Sequence, residues 1–526
     1  MFEKERLTRR DFMKGAGAAG ALLWLGPIDQ ARALVSRQGN STIYKVEDCP
    51  VHDTDTRHRG VDALLKLMAD AGTPLYQTTD PHPWGGPNGM IAPDDVVLIK
   101  VNCQWKCRGT TNTDVVRGLI HRLLQHPEGF LGEIVIIENG QGQGAFDGDP
   151  RAWGSYAPWP QIDNGIYINA EEENTLTVDH LVNTVFSDAP VSSYLLDPLR
   201  STFISSSDHS TDGYRKVSDV SYPCFTSSGG HRVELKEGIW TASGHSNNLK
   251  LINIPVFKHH DGTGITGALK HTYGILSMSD GYSSKRHYSA SGSQCGKMWI
   301  EVRSPVLNII DCIWVSHKSL CGYPPDTTQR TNTLLAGIDP VALDYHASKH
   351  IILPLGGNYA NYHNPDTYSG LINHLTGAMD YINQNGGIGG EMTHQGDNNI
   401  DVVATNTLDH PSLDIKANGA DDLISVPTGT PVAVSVSMIA ANLAGQRADQ
   451  WIIAKTPTGW WSYVGNRWQH GIHRLSDSAL RDVPQREILN DVLPDGDYKF
   501  YIAADDNTDG IVDATWWDAI QVHVGP

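Results

Sequence analysis

The sequence predicts an α/β domain with a mainly parallel sheet and flanking helices, followed by a small all-β sandwich domain. Two observations support the first part: short runs of consecutive apolar residues alternate with segments of helical periodicity, and glycine-rich loops follow two of those runs. Beyond residue 412, strand-like runs separated by turn residues recur and helical periodicity is scarce. We therefore expect a signal peptide at 1–33, the α/β domain at 34–411 and the sandwich at 412–526.

The first 33 residues have the three parts of a secretory signal. Two consecutive arginines, Arg9 and Arg10, precede a phenylalanine and a lysine, which is typical of the twin-arginine export route. An apolar run at 15–26 follows, and the Ala-Arg-Ala sequence ending at Ala33 predicts cleavage after that residue. The run is shorter than the roughly 20 residues of a membrane-spanning helix. We therefore expect the twin-arginine export machinery as a partner, a periplasmic or extracellular location, and no membrane span in the mature chain.

Composition argues against nucleic acid as a partner. The whole chain has a formal net charge of −19, and removal of six basic and four acidic residues with the signal leaves −21. Nucleic-acid phosphates are bound by clustered Lys and Arg, which such a surface does not supply. The seven cysteines are dispersed, and the gap between Cys103 and Cys107 matches no strong zinc or iron–sulfur spacing, so we interpret them as core or disulfide cysteines. The chain has 23 histidines, so a metal site is compatible with the sequence, but their positions do not indicate where it would lie.

The α/β pattern begins with a helix around residues 61–68 and a strand at 96–101, whose successive apolar residues indicate burial on both faces. Asn112 or Thr113 can cap the next helix, which carries apolar residues at helical spacing. A strand at 134–137 completes a β-α-β unit and runs into a glycine-rich loop. The crossover of this unit should be right-handed.

The same pattern recurs after a long polar region at about 145–245. Strands are predicted at 249–254, 306–310 and 333–336. Asp339 follows the last of them and precedes a proline, an arrangement typical of a helix N-cap. If these strands are parallel, their carboxyl ends meet at one edge of the sheet.

The C-terminal sandwich is predicted from closely spaced apolar runs in which six of the fourteen tryptophans occur. Turn residues separate the runs, and few segments of this region have helical periodicity. The predicted strands are 431–436, 450–454, 460–464, 498–502 and 520–524.

The carboxyl ends of the predicted parallel strands are the expected ligand site, because open α/β sheets bind ligands there. Three lysines at these ends suit an anionic ligand, with two asparagines beside them. A histidine and an aspartate nearby suit acid–base chemistry or a divalent metal. The predicted site residues are Lys100, Asn102, Asn112, Lys258 and Lys270 for the ligand, and His260 and Asp311 for the chemistry.

Several of these residues also have a structural interpretation. Lys270 suits a solvated helix face, and the adjacent His259 and His260 point in different directions, so at most one of them serves a site. Neither glycine-rich loop has the spacing of a dinucleotide or phosphate-loop fingerprint. The glycines alone therefore do not define the ligand.

An acidic loop near residue 510 resembles a calcium-binding loop. Asp505, Asn507, Asp509 and Asp513 occupy its first, third, fifth and ninth positions. The twelfth position holds Trp516 in place of the usual bidentate glutamate. The alternative interpretation is a solvated acidic turn between two strands.

Four segments in order resemble the domain of unknown function 362 family. They are 95–102 with 111–114, 253–270, 307–311 and 336–344. The resemblance extends over roughly residues 90 to 350 and implies an α/β domain, sometimes found beside iron–sulfur ferredoxin modules, with no established activity. The clustered cysteines of such a module are missing from this sequence. The C-terminal region resembles sandwich domains appended to other exported bacterial proteins.

Two functions remain open from the sequence. The first is an exported enzyme whose α/β site binds an anionic small molecule, with or without a divalent metal. The second is a non-catalytic ligand-binding or cell-surface protein that attaches to glycan or to a partner through its aromatic β domain. The first function predicts that substitutions in the lysine site abolish activity. The second predicts that deletion of 412–526 abolishes attachment.

Overall fold

The computed structural model describes most of the chain after residue 39. The described residues are 40–50, 57–79, 82–103, 107–139, 176–199, 202–277, 291–322, 324–389, 391 and 393–526. The predicted signal peptide and the glycine-rich loop after the strand at 134–137 lie outside them.

The described residues form seven α-helical segments and 26 strands. The helices are α1 (Arg59–Asp70), α2 (Thr113–Leu124), α3 (Val178–His180), α4 (Ala268–His271), α5 (Ser291–Lys297), α6 (Pro340–Ala347) and α7 (Ser369–Gln384). The strands are β1 (Ser41–Glu47), β2 (Tyr76–Gln77), β3 (Gly85–Gly86), β4 (Val96–Lys100), β5 (Glu133–Glu138), β6 (Val191–Leu195), β7 (Gly213–Val217), β8 (Val220–Thr226), β9 (Arg232–Glu234), β10 (Gly238–Thr241), β11 (Gly244–Ser246), β12 (Leu249–Asn253), β13 (Val256–His260), β14 (Gly264–Thr266), β15 (Leu307–Ser316), β16 (Thr328–Gly337), β17 (Ile400–Asn406), β18 (Ser412–Ala417), β19 (Ile424–Val426), β20 (Pro431–Ile439), β21 (Asp449–Thr456), β22 (Gly459–Val464), β23 (Arg467–His470), β24 (Val483–Val492), β25 (Gly496–Asp505) and β26 (Trp516–Val524).

The main sheet has ten strands and is mixed, so the prediction of a mainly parallel sheet is confirmed in part. Its order is β17-β1-β16-β15-β12-β4-β5-β6, and β13 and β14 extend it beside β15. The neighbours from β15 to β6 are all parallel, and β12 stands in full register with β4. On the other side, β16 runs antiparallel to both β15 and β1. The predicted parallel arrangement therefore holds for one half of the sheet.

The direction of β16 follows from its short connection to β15. Residues 317–327 join the two strands, whereas a parallel return needs a crossover of a dozen or more residues, usually with a helix. The strand predicted at 333–336 therefore ends at the opposite edge of the sheet from Lys100. Asp339, which follows it, caps α6 as predicted and accepts a hydrogen bond from Ser41 at the start of β1. Asp339 is thus a structural cap outside the predicted ligand site.

Both faces of the main sheet are covered. Val97 and Ile99 face one core, which contains the apolar sides of α1 and α2. Val96 and Leu98 face the other core, which contains α4 to α7 and a five-stranded antiparallel sheet of order β11-β10-β9-β8-β7. This small sheet falls within the region that the sequence identified only as polar. Its strands are short and carry many polar residues, so no periodic apolar pattern predicts them.

The sandwich predicted for residues 412–526 is present. A three-stranded sheet, β18-β20-β24, faces a six-stranded sheet, β19-β26-β25-β21-β22-β23. The strands alternate as expected: Val432, Val434 and Val436 point into the shared core, and the residues between them are half-buried. The outer face of the larger sheet carries Trp451 and Trp517, which belong to the same core as α1 and α2.

A network of buried charges joins the sandwich to α1 and α2, and we call it the interface network: Arg57, Asp62, His121, Arg122 and Asp518. Asp62 accepts hydrogen bonds from Arg57 (2.8 Å) and from Arg122 (2.6 and 2.8 Å). Asp518 of β26 lies 3.4 Å from Nε2 of His121. Burial alone would raise the pKa of Asp518, but the charge of Arg57 and the hydrogen bond from His121 lower it to about 2. Burial alone would lower the pKa of His121, but neighbouring carboxylates raise it to about 9. Opposite charges are therefore matched across this interface.

Candidate anion-binding site

The predicted site residues come from several elements: Lys100 ends β4, Lys258 and His260 lie on β13, Asn112 caps α2, Lys270 lies on α4 and Asp311 lies within β15. We call Lys100, Asn102, Asn112, Lys258, His260, Lys270 and Asp311 the edge site. Lys100 is the last residue of β4 and stands in register with Asn253, the last residue of β12. All seven side chains are buried, and Lys100 is completely inaccessible to solvent.

Lys100 is held by three partners at the end of its strand. Its Nζ donates to the carbonyl of Val101 (2.6 Å), to Glu138 Oε2 (3.0 Å) and to His271 Nε2 (3.2 Å). An ammonium group has three donors, so all of them are used. Burial lowers the pKa of Lys100, and the adjacent Glu138 opposes that shift. Lys100 is therefore a fixed cation that organises the edge site.

His271 is a member of this cluster that the sequence did not assign. Its Nδ1 lies 2.7 Å from Asn253 Oδ1, and the amide nitrogen of Asn253 donates elsewhere, so Nδ1 carries the proton. Its Nε2 then accepts from Lys100. Burial and the charges of Lys100 and Lys258 hold the pKa of His271 well below its usual range. His271 is consequently neutral and acts as an acceptor.

Lys258 differs from Lys100 in its partners. It is 3% exposed, and within the described ranges its Nζ has one hydrogen-bond partner, the carbonyl of Gly109 at 2.6 Å. Burial is the main cause of a pKa lowered to about 7, and the charges of Lys270 and Lys100 contribute to it. Among the described residues, the other two donors of this ammonium have no hydrogen-bond partner.

Lys270 lies on the short helix α4 and contributes a further cation. Its Nζ is 4.9 Å from the centre of the Tyr273 ring, and burial lowers its pKa to about 8. The first turn of α4 is held by Asp344, which accepts hydrogen bonds from the two backbone amides at the start of the helix. Burial raises the pKa of Asp344 to about 7. Lys270 is thus a buried residue and does not occupy a solvated helix face.

The two predicted asparagines each have an unsatisfied polar atom. Asn112 caps α2 through its Oδ1, which accepts from the backbone amides of Asp114 and Val115. Its Nδ2 is buried without a hydrogen-bond partner among the described residues, and so is Oδ1 of Asn102. Such atoms are rare in folded proteins because an unpaired buried polar group is costly. A bound polar ligand would satisfy them.

Asp311 and His260 have defined hydrogen-bond roles. The two oxygens of Asp311 accept from the backbone amides of Asn112 (2.8 Å) and Ile313 (3.0 Å), so this carboxylate fixes the start of α2. His260 Nδ1 accepts from the backbone amides of Gly262 (3.2 Å) and Thr263 (3.4 Å). When neutral, His260 therefore carries its proton on Nε2.

The acidic loop near residue 510 is organised by hydrogen bonds. Asp505 is buried and accepts from the indole of Trp451 (2.8 Å) and from two backbone amides, while burial raises its pKa to about 6. The amide of Asn507 donates to Asp513 (2.8 Å), and Asp509 accepts from the next turn of the loop. The three carboxylates do not bring their oxygens within 4.8 Å of one another. The calcium site therefore stays a prediction.

Within the described ranges, the edge site also lacks a group of three His, Cys, Asp or Glu side chains with converging donor atoms. The six cysteines described, which exclude Cys107, form no disulfide with one another. Five of them are buried, as the interpretation as core residues requires.

The described residues combine a mixed α/β sheet with a β-rich C-terminal region. Residues 221–349 match the family described as a domain of unknown function (DUF362), and residues 6–26 match the twin-arginine translocation pathway signal sequence. The chain therefore carries a DUF362 domain and is exported to the periplasm or the extracellular space. The match is narrower than the predicted 90–350, and β4 falls outside it. In the described part of the chain, no helix has the length and apolarity needed to cross a membrane.

Other comparisons add no functional assignment. None of the curated proteins matches the chain significantly. The CARDB domain of a Pyrococcus furiosus protein, in complex with di-metal ions, is 10% identical, with a TM-score of 0.14, and the likeness covers 22% of this chain and 93% of that one. An alkylpurine DNA glycosylase of Pseudomonas fluorescens, bound to DNA containing an abasic site analog, is 12% identical over 34% of this chain and 44% of that one, with a TM-score of 0.12. These TM-scores are too low to bear on the fold.

Proposed function

We propose that the edge site binds an anionic small molecule and that the protein is an exported enzyme acting on it. The observation that carries this proposal is the set of buried donors at the N-terminus of α2. Lys258 has two donors beyond its bond to Gly109, and Nδ2 of Asn112 has no partner among the described residues. Amides and ammonium groups at a helix N-terminus are suited to an anion.

The three lysines have different roles in this proposal. Lys100 uses its three donors within the protein, so it sets the electrostatic potential without bonding to the ligand. We assign the ligand contacts to Lys258 and Lys270, because both are buried and burial lowers the pKa of each, so that a nearby anion would stabilise the charged form. An anion between them would restore the balance of charge.

The predicted catalytic residues also acquire separate roles. His260 lies two residues after Lys258 on β13, on the same side of the strand, and its Nε2–H is the proton donor we propose for the reaction. Asp311 acts as a positioning residue, since it holds the backbone of Asn112. Lys258 titrates near neutral pH and is a second group able to transfer a proton. No divalent metal is included, because the described donors of the edge site do not converge on one.

The alternative function was attachment through the aromatic β domain. Trp451 and Trp517 lie in the core shared with α1 and α2, so the face they form is already covered. This packing favours a structural role for that face of the sandwich. Attachment to glycan or a partner is thus an outcome that the experiment below must distinguish.

The experiment is a titration of the mature protein with inorganic phosphate and with sulfate, in which isothermal titration calorimetry measures the binding affinity. Lys258→Met and Lys270→Met should each weaken binding about tenfold or more, because each removes a charged hydrogen-bond donor. Lys499→Met is the matched control, since the pKa of Lys499 is also lowered to about 8 by burial, but in the sandwich. Loss of binding in all three variants, or in none, would reject the edge site.

A second arm tests catalysis. Phosphate and carboxylate esters are screened for hydrolysis with the parent protein and with His260→Asn, which retains a polar side chain. Turnover that is lost in His260→Asn while phosphate affinity is retained supports an enzyme with His260 as acid–base group. Anion binding without turnover of any ester, together with loss of glycan attachment on removing 412–526, would support the binding protein.

A further inference from the structure

A second cluster of donor side chains lies on the five-stranded sheet, away from the edge site. His209 precedes β7, Glu234 ends β9 and His245 lies on β11. His209 Nδ1 is 2.6 Å from Glu234 Oε1, and His245 Nε2 is 2.7 Å from Glu234 Oε2. The three donor atoms lie within 4.8 Å of one another, and this is the one such group in the described ranges. Both imidazoles therefore point their nitrogens at one carboxylate.

We propose that His209, Glu234 and His245 bind a zinc ion. Two imidazoles and one carboxylate are a donor set that zinc takes in proteins, with the remaining coordination position open to water. The geometry already brings the ligands together, so the hydrogen bonds among them, and the 3.4 Å contact between Arg215 Nη2 and His209 Nδ1, must give way to metal bonds of roughly 2.0 to 2.2 Å.

The carboxylate of Glu234 is held in a form that can bind metal. Glu234 is completely buried, and Arg215 donates to both of its oxygens, at 2.5 and 3.1 Å. A carboxylate oxygen has more than one acceptor position, so Arg215 can retain its bonds while zinc binds. Such hydrogen bonds to a ligating carboxylate commonly support metal sites.

Both histidines are oriented by their surroundings and reachable from solvent. The ring of His209 stacks on Trp240 with 3.6 Å between centres and 8° between planes. His245 stands opposite Trp240 in the pairing of β10 with β11, with ring centres 4.9 Å apart. The side chains of His209 and His245 are 22% and 25% exposed. A metal can therefore enter, and a small molecule could reach its open position.

The experiment is zinc titration of the mature protein, purified with a tag that contains no histidine. Metal is stripped with chelator, zinc is added back, and bound metal is counted after dialysis. We expect one zinc per chain, with affinity lowered at least tenfold in His209→Ala and in His245→Ala. His523→Ala is the control, because His523 is an exposed histidine 2.7 Å from the carboxylate of Asp497 and lacks a second histidine beside it.

His245→Gln is a second variant that keeps a side chain of similar length, in case alanine disturbs the small sheet. Cobalt replaces zinc in a parallel sample, since its visible absorption reports the coordination geometry. A four- or five-coordinate spectrum that is lost with His245→Gln supports the proposal. Absence of stoichiometric zinc, or zinc that is retained by both histidine variants, would overturn it.

Discussion

Two regions of this molecule bury charged side chains, and they differ in the charges that surround those side chains. In the interface network, Asp62 is paired with Arg57 and Arg122, and each group is surrounded by opposite charge. In the edge site, two lysines with lowered pKa values lie close enough to repel each other. The buried charges of the interface network are matched by one another, whereas we propose that those of the edge site are matched by a bound anion.

The same contrast appears in the direction of the pKa changes. In the interface network, opposite charges hold the pKa of Asp62 and Asp518 low and that of His121 high, so the charged forms are favoured. In the edge site, burial lowers the pKa of Lys258 and Lys270, so the neutral forms are favoured. The following measurements test this contrast.

The largest expected effect is on the interface network. Asp518→Ala leaves Arg57 and His121 buried with a missing partner, so we expect the free energy of unfolding to fall by about 3–5 kcal/mol. Urea denaturation followed by tryptophan fluorescence measures it. Asp497→Ala is the control, since the side chain of Asp497 is 90% exposed and its loss should change stability by less than about 0.5 kcal/mol. Equal effects of the two substitutions would contradict a structural role for the network.

Removal of an edge-site charge should have the opposite sign. Lys258→Met replaces a buried amine with an apolar side chain of similar length, and we expect it to raise the free energy of unfolding at pH 7 by about 1–3 kcal/mol. Lys318→Met, at a partly exposed lysine, should change it little. A destabilised Lys258→Met protein would show that this ammonium is already compensated.

The smallest expected effect is on the pH dependence of anion affinity. Lys258 has a pKa lowered to about 7 and Lys270 one lowered to about 8, so both ammonium groups are present below pH 7 and are lost as the pH rises through these values. We expect sulfate affinity to fall by about tenfold between pH 6 and pH 9 at fixed ionic strength. Sulfate is chosen because its own charge is constant over this range. An affinity that stays constant or rises with pH would exclude these two lysines.

The linked effect on stability has a defined sign. A lysine with a folded pKa near 7 and an unfolded pKa near 10.5 binds fewer protons in the folded state between those values. The free energy of unfolding therefore gains a contribution from Lys258 as the pH rises from 7 toward 10.5. Lys258→Met should remove that slope.

Local features were predictable from the sequence. Asn112 and Asp339 were expected as helix caps, and both cap the predicted helices, because a cap depends on residues two or three positions away. The strands β4 and β5 were likewise predicted from their continuous apolar residues. The direction of β16 was not predicted, because strand runs alone do not reveal how the connecting chain returns.

Contacts between residues far apart in the chain could not be predicted from the sequence. Lys100 looked like a ligand-binding cation, but its partners Glu138 and His271 lie 38 and 171 residues away in the chain, and their bonds use its donors. The cluster of His209, Glu234 and His245 also spans short strands with no motif spacing. Both features depend on tertiary folding, which a pattern of residue types does not specify.

The interface network joins segments of the chain that are synthesised at very different times. Asp518 lies 397 residues after His121, and at 5 to 20 residues per second the ribosome needs roughly 20 to 80 s to add that length. During this interval, the charged residues of α1 and α2 lack the contacts with β26 that pair them in the folded protein. The buried contacts of α1 and α2 with β26 can therefore form only after β26 has been synthesised.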